Sequence, residues 1–262
     1  MKLIYPDNIT LVDAGPAETL AEYPLGNLTD DHLRRPWKAD AGAASELVVN
    51  LASAGPANAV ALFGLEVEQL TLQVYSDAAM TQLVDSLTVS GKEQELFGES
   101  WVHSVWFEFA QQSAAWFKLT LGTANHKTPK IGRVTSGLVS KYVNPKWGYA
   151  QGLQDYSTSQ RLRNGAKWAR AKEVARSPKL TLEIPLKDPT GWDQYHSLIE
   201  LYQLVQGATP FAILTVEGRS DASGNSLDHR YAHWASFASG SFSATEGGHA
   251  FHTIDFTLEE NL

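Results

Sequence analysis

The sequence predicts a mainly β protein of two domains, the second of them mixed α+β with a single flanking helix. Three observations lead there. Short segments rich in Val, Thr, Leu and aromatic side chains recur between turn residues. Several alternate apolar and polar side chains with the two-residue period of a half-buried strand. The clearest helical spacing lies in one stretch, residues 193–206. The chain has 262 residues, 43% of them apolar and 10% aromatic, enough for one large or two smaller cores.

In the first half the expected strands are residues 46–51, 60–63, 70–75, 104–109 and 116–121. Val105, Phe107 and Phe109 alternate with Trp106 and Glu108, and Phe117, Leu119 and Leu121 alternate with Lys118 and Thr120. These two strands are expected to pair with each other through a connection at 110–115. Their spacing suggests a β-sandwich or jelly roll over residues 1–125. Residues 125–129 then read as a linker, and 126–262 as the second domain.

In that second domain Asn164-Gly165 reads as a hairpin turn, giving a β-arm over about 141–180. Residues 179–186 alternate Leu180, Leu182 and Ile184 against Thr181 and Glu183. Asp193 is the expected cap of a helix carrying Tyr195, Leu198, Ile199, Tyr202 and Val205, which stops at Gly207. An apolar strand at 210–216, a polar loop at 218–228 and strands at 231–237 and 251–258 follow. In the last, the even-numbered face (His252, Ile254, Phe256, Leu258) is the one expected to be buried.

Charge is segregated along the chain. Eleven of its 21 Lys and Arg residues fall between Lys130 and Lys179, although the net charge is -8. Residues 1–125 carry net -10 and residues 181–262 net -8. A basic face on one subunit can therefore meet an acidic face on the next, which favours ordered self-association. The stretch from Arg161 to Lys172 mixes cations with Trp168 as single-strand nucleic-acid binders do. The acidic whole and the lone aromatic weigh against that reading and favour self-assembly, with a solvated loop in between.

No cysteine is present, so neither disulfides nor thiolate metal sites are available. No apolar run approaches the roughly 18 residues of a membrane span, and the first six residues do not read as a signal peptide. His229 and His233 have i, i+4 spacing, but their surroundings read as strand and no HExxH glutamate accompanies them. His249 and His252 flank a turn. There is no nucleophile elbow, phosphate loop or dinucleotide fingerprint. An enzyme is not expected, nor a cofactor or metal.

The series Ile131-Gly132-Arg133-Val134, Gly148-Tyr149, Gln154-Asp155-Tyr156-Ser157, the basic stretch, the helix ending at Gly207, and Phe256-Thr257-Leu258-Glu259-Glu260 resembles distal tail proteins of long-tailed bacteriophages. The resemblance covers about residues 126–262. It implies a tail-tube-like β-sandwich with one flanking helix, a threefold or sixfold ring joining tail tube to host-recognition tip, and a place in the virion. The implied partners are further copies of the chain and other tail-tube and tail-tip proteins. Subunit-interface candidates are Arg133, Lys141, Lys146, Arg161, Arg163, Lys167, Arg170, Lys172 and Arg176.

In the first half, residues 23–30 (YPLGNLTD), then Arg35-Pro36-Trp37-Lys38 and the strand at 46–51, look like the opening of galactose-binding-like jelly rolls. There the Trp is first a core anchor near the mouth of the fold. Should that domain bind a cell-surface glycan, the candidates are Asp30, His32, Arg34, Arg35 and Trp37, with Asp31 beside them. A carbohydrate-binding adhesin is thus the alternative to a structural tail protein.

Overall fold

The computed structural model describes the chain apart from residues 14, 96–97, 147–149, 156–157, 162–166, 171–173, 186–188, 220–227, 248–250 and 262. At 94–95, 151, 154–155, 158–161, 167–170, 174, 189–190 and 246–247 it describes the backbone. The protein is mainly β, with a β-sandwich and one α-helix. It divides into two compact units: Met1–Lys141 with Phe211–Trp234, and Tyr142–Pro210 with Ala235–Leu262.

In the first unit an antiparallel sheet of five strands runs in the order Ile9–Leu11, Glu46–Ser53, Ala115–Gly122, Gln69–Tyr75, Leu83–Ser90. Facing it are Ser104–Gln112, Ala57–Phe63 and Arg133–Gly137, also antiparallel. Between them lies a core that includes Leu47, Val49, Leu51, Val60, Leu62, Val105, Phe109, Phe117, Leu119 and Leu121. The strands Ser104–Gln112 and Ala115–Gly122, expected to pair, instead lie in opposite sheets. Their apolar faces meet across the core, with the rings of Phe109 and Phe117 edge-on at 5.9 Å. Ser113-Ala114 carries the chain from one sheet to the other. Both strands need their odd-numbered face covered, and facing each other does this for both at once.

The strand Ala57–Phe63 is buried on both sides. Its second face (Ala59, Ala61, Phe63) packs with Ile4, Ala212, Leu214, Ala232 and Trp234. Small side chains here admit a further layer, in which Lys2–Ile4 pairs with both Val139–Lys141 and Phe211–Leu214. This layer overturns the expected division after residue 125. Arg133 to Gly137 pairs with Ala57–Phe63, and Ile131 and Val134 are buried in the first core. Pro129 and the change of charge mark a loop within the unit rather than its edge. The strand expected at 210–216 likewise contributes Phe211–Leu214 to this unit.

A polar knot sits on that layer. The Lys2 ammonium lies 2.6 Å from both Glu108 and Glu217, and Trp106 donates to Glu108 at 3.1 Å. Burial by itself would raise the Glu108 pKa, but hydrogen bonds from Lys2 and Trp106 and the charges of Lys2 and Lys141 hold it below the usual value. Burial would lower that of Lys2, yet its two carboxylate partners raise it. The Glu108 contribution is present above the unfolded carboxylate value and lost as pH falls through the depressed folded one. The Lys2 contribution is present below its unfolded value and lost as pH rises through the raised one. Stability is therefore expected to fall on the acid side below about pH 4.5. Glu108→Gln should flatten that limb in urea midpoints measured from pH 3 to 7; an unchanged limb removes Glu108 as its source.

In the second unit Val174–Pro185 pairs on one side with Ala150–Asp155 and on the other with Phe251–Glu260, which also pairs with Ser243–Gly247 and with residues 235–237. The even-numbered face of Phe251–Glu260 is buried, as expected, together with Leu180, Leu182 and Ile184. The helix Pro189–Val205 lies against Val174–Pro185 and buries Tyr195, Leu198, Leu201 and Val205. It begins earlier than Asp193, which is consequently inside the helix and not its cap. Proline suits a first turn, where its missing N–H has no partner to lose. The helix ends as expected: Gln206 and Gly207 have φ of 46° and 70°. In the arm, Thr158–Arg161 pairs antiparallel with Lys167–Arg170, with Arg161 opposite Lys167. The expected Asn164-Gly165 turn lies outside the described residues.

Candidate functional site

Arg133 is the first of the sequence candidates to be corrected. Its side chain is 5% exposed, bonds to Asp7, lies 3.7 Å from Asp31 and stacks 4.7 Å from the Trp234 ring centroid. A guanidinium enclosed this way holds the first unit together and offers nothing to a neighbouring subunit. Arg176 is tied to Glu260 within the second unit through Nη2 at 2.6 Å and Nε at 3.1 Å. Lys141 (67% exposed, 3.7 Å from Glu108) and Lys146 (55% exposed, 2.6 Å from Glu183) keep accessible ammonium groups. Arg163 and Lys172 lie outside the described residues, as do the side chains of Arg161, Lys167 and Arg170.

Trp37, a sugar candidate, is also corrected. It is 0% exposed, its indole N–H donates to Thr19 Oγ1 at 3.1 Å, and its backbone pairs with Ile131. A ring with no surface cannot stack on a ligand. Asp30 accepts the His32 backbone N–H at 2.9 Å and an Arg35 N–H at 3.4 Å. The His32 N–H foremost, working with Arg35 against burial, keeps the Asp30 carboxyl below its usual pKa. Asp31, His32, Arg34 and Arg35 are exposed beside it.

A cleft does open elsewhere in the first unit. It encloses about 510 Å³ and is lined by Glu68, Ser90, Lys92, Glu93, Glu99, Trp101, Asn125 and His126. One wall is a hairpin, Lys92–Glu95 with Gly98–Trp101, in which Lys92 stands opposite Trp101. Gly98, at φ 125°, supplies a conformation that suits glycine. At the hairpin's base the Gly91 N–H donates to Glu68 O at 2.9 Å and the Val102 N–H to Gly91 O at 2.8 Å. Gly91 runs so close to the segment leading into Gln69–Tyr75 that an added Cβ would overlap the Val67 carbonyl oxygen.

The opposite wall is the segment after Ala115–Gly122. Glu68 receives the Asn125 backbone N–H at 2.7 Å and also the Asn125 side-chain amide. These donors, the backbone one foremost, depress the Glu68 pKa. A carboxyl held ionised accepts hydrogen bonds well and delivers protons poorly. His126 sets its ring 4.8 Å from that of Trp101, tilted by 52°, and its Nε2 is buried with no hydrogen-bond partner among the described residues. Lys92 lies 5.0 Å from the Trp101 ring centroid and 3.2 Å from Glu99. Glu93 is engaged by Arg230 at 3.0 Å and His229 at 2.9 Å.

An aromatic face bordered by carboxylate oxygens, an amide and an imidazole can cover the C–H face of a polar ring while bonding its hydroxyls.

No family model matches the chain, and no curated protein does. Among solved structures, a carbohydrate-binding module (CBM32-3) from a family 31 glycoside hydrolase of Clostridium perfringens is 14% identical, with 50% of this chain and 90% of that chain covered, at a TM-score of 0.38. The family 32 module of C. perfringens NanJ, in complex with galactose, is 11% identical over 53% and 100% of the two chains, TM-score 0.38. An F5/8 type C domain from Bacteroides fragilis is 13% identical over 53% and 100%, TM-score 0.33. What the cleft can do is decided by its own residues.

None of those residues was singled out from sequence, where Asn125-His126 read as linker. The available signal was Trp101 shortly after Gly98, which itself lies seven residues beyond another glycine, Gly91.

Proposed function

We propose that the first unit recognises carbohydrate through the Trp101 cleft. The observation that carries this reading is the half-buried indole on the wall of a 510 Å³ cleft whose other lining groups are almost all hydrogen-bonding. Sugars need that combination: an apolar plane for the ring face and directional acceptors and donors for hydroxyls. The test is a glycan array followed by calorimetric titration of hits against wild type and Trp101→Ala. Binding is expected to weaken at least about tenfold in the variant, as loss of one aromatic contact implies. Array silence with folded wild-type protein, or equal affinity in the variant, ends the proposal.

A second reading, a ring-forming structural subunit of a bacteriophage tail tip, is favoured by one observation in the arm. Its backbone register brings positions 161 and 167, an Arg and a Lys, opposite one another, which gathers cationic residues on one ladder. An acidic surface on a neighbouring copy would complement them, and the remainder of the chain is rich in acid. Head-to-tail contacts close into a ring when the rotation per subunit permits. In this reading the carbohydrate-binding unit serves host attachment and the second unit assembly. Light scattering should then give a discrete oligomer at low salt that loosens at high salt. A mass unaffected by salt defeats the electrostatic interface.

A further inference from the structure

Lys92 occupies an unusual position in the cleft. Its ammonium lies between the Trp101 ring, 5.0 Å from the centroid, and the Glu99 carboxylate at 3.2 Å. Antiparallel register holds it there, because Lys92 stands directly opposite Trp101, while Glu99 shares Trp101's side of the strand two residues away. Both Lys92 and Glu99 are substantially exposed, so nothing steric locks the ammonium in place. Lys92 is also the only lysine or arginine among the described residues of the wall, against Glu68, Glu93 and Glu99. Of these Glu93 already has Arg230 and His229 as partners, which leaves the Glu68 and Glu99 side acidic.

We propose, on the basis of the carbohydrate reading above, that the cleft selects glycans bearing a free amino group, and that the Lys92 ammonium is their internal stand-in. A protonated amine on a sugar can pair with Glu99 and sit by the indole as Lys92 does, while the sugar's carbons cover the remaining ring face. A uronic or sulfated sugar would bring an anion against Glu68 and Glu99, and an N-acetylated one would bring no charge. The Asn125 side chain, exposed on the opposite wall, can bond a hydroxyl of the same ring.

The experiment is calorimetric titration of the full chain at pH 6 with oligomers of glucosamine, N-acetylglucosamine and galacturonic acid, matched in length, with a lysine oligomer of equal charge as competitor. Glucosamine oligomers are expected to bind about tenfold more tightly than N-acetylated ones and galacturonate not at all. Lys92→Met should tighten glucosamine binding about fivefold by removing the internal competitor, and Glu99→Gln should abolish most of the preference. Melting temperatures of the variants establish that they fold, and Lys92→Gln serves if the Met variant does not. Equal or better binding of N-acetylated or acidic oligomers overturns the amine preference while sparing the carbohydrate reading. So does weaker binding by Lys92→Met, or full displacement by the lysine oligomer, which would mean bulk charge attraction. Failure of every oligomer and of a broad neutral glycan panel overturns both.

Discussion

Arg133→Ala is expected to destabilise the protein by about 3–5 kcal/mol, the cost of leaving one member of a buried ion pair without its partner. Asp7, its partner, also accepts the backbone N–H of Ile9 and of Ser136, both at 3.0 Å. These donors hold Oδ1 in place, so the carboxylate keeps its position when the guanidinium goes. The same substitution strips the Trp234 ring of its cation and exposes the indole that donates to Asp31 O at 2.9 Å. Urea unfolding followed by tryptophan emission measures the loss. Replacing both partners, Asp7→Asn with Arg133→Met, should recover most of it, since no uncompensated charge then remains. A loss below about 1 kcal/mol for Arg133→Ala would place the residue in the range of surface ion pairs and sink the assignment.

Gly91→Ala is expected to damage the cleft more than any substitution on its wall. The added methyl group collides with the Val67 carbonyl, a backbone atom that cannot rotate away. Relief requires moving the base of the Lys92 to Trp101 hairpin off that segment, breaking the Gly91 to Glu68 and Val102 to Gly91 hydrogen bonds. About 1–3 kcal/mol of stability should be lost to the overlap. Glycan affinity should fall at least as far as in Trp101→Ala, because the indole, Glu99 and Lys92 all travel with the hairpin. Crystal or solution structures of the variant would show the displacement; unchanged hairpin geometry with native affinity would refute the account.

How much of this was legible beforehand depends on how local the determining physics is. The inward face of Phe251–Glu260 follows from its alternation, and the helix stop at Gly207 from its tolerance of positive φ, both matters of a few neighbouring residues. The helix start was misplaced because Pro189-Thr190-Gly191 resembles a turn, and only packing against Val174–Pro185 makes it a first turn of helix. Partner choice was not legible for Ser104–Gln112, whose alternation defines a buried face and leaves open which strand covers it. The cleft is the extreme case. Residues near 68, 90–101 and 125–126 meet because Gln69–Tyr75 lies between Ala115–Gly122 and Leu83–Ser90 in the sheet, an order no local pattern announces. Trp37 and Trp101 are the same residue type in equally polar company, and burial alone separates the core anchor from the wall of a cleft.

The short strand Lys2–Ile4 has a consequence for the order in which the molecule is completed. Its two neighbours, Val139–Lys141 and Phe211–Leu214, are separated by a segment belonging wholly to the second unit. On a ribosome the amino-terminal strand must wait, one edge bare, until some two hundred further residues have emerged. The sandwich around Phe117 can form early, while the layer containing Trp234 closes only after the intervening helix has been made. Such long-range closure slows folding. Nascent chains halted between residues 141 and 211 should accordingly carry a native-like sandwich with an unsealed flank, the stage at which a chaperone has most to bind.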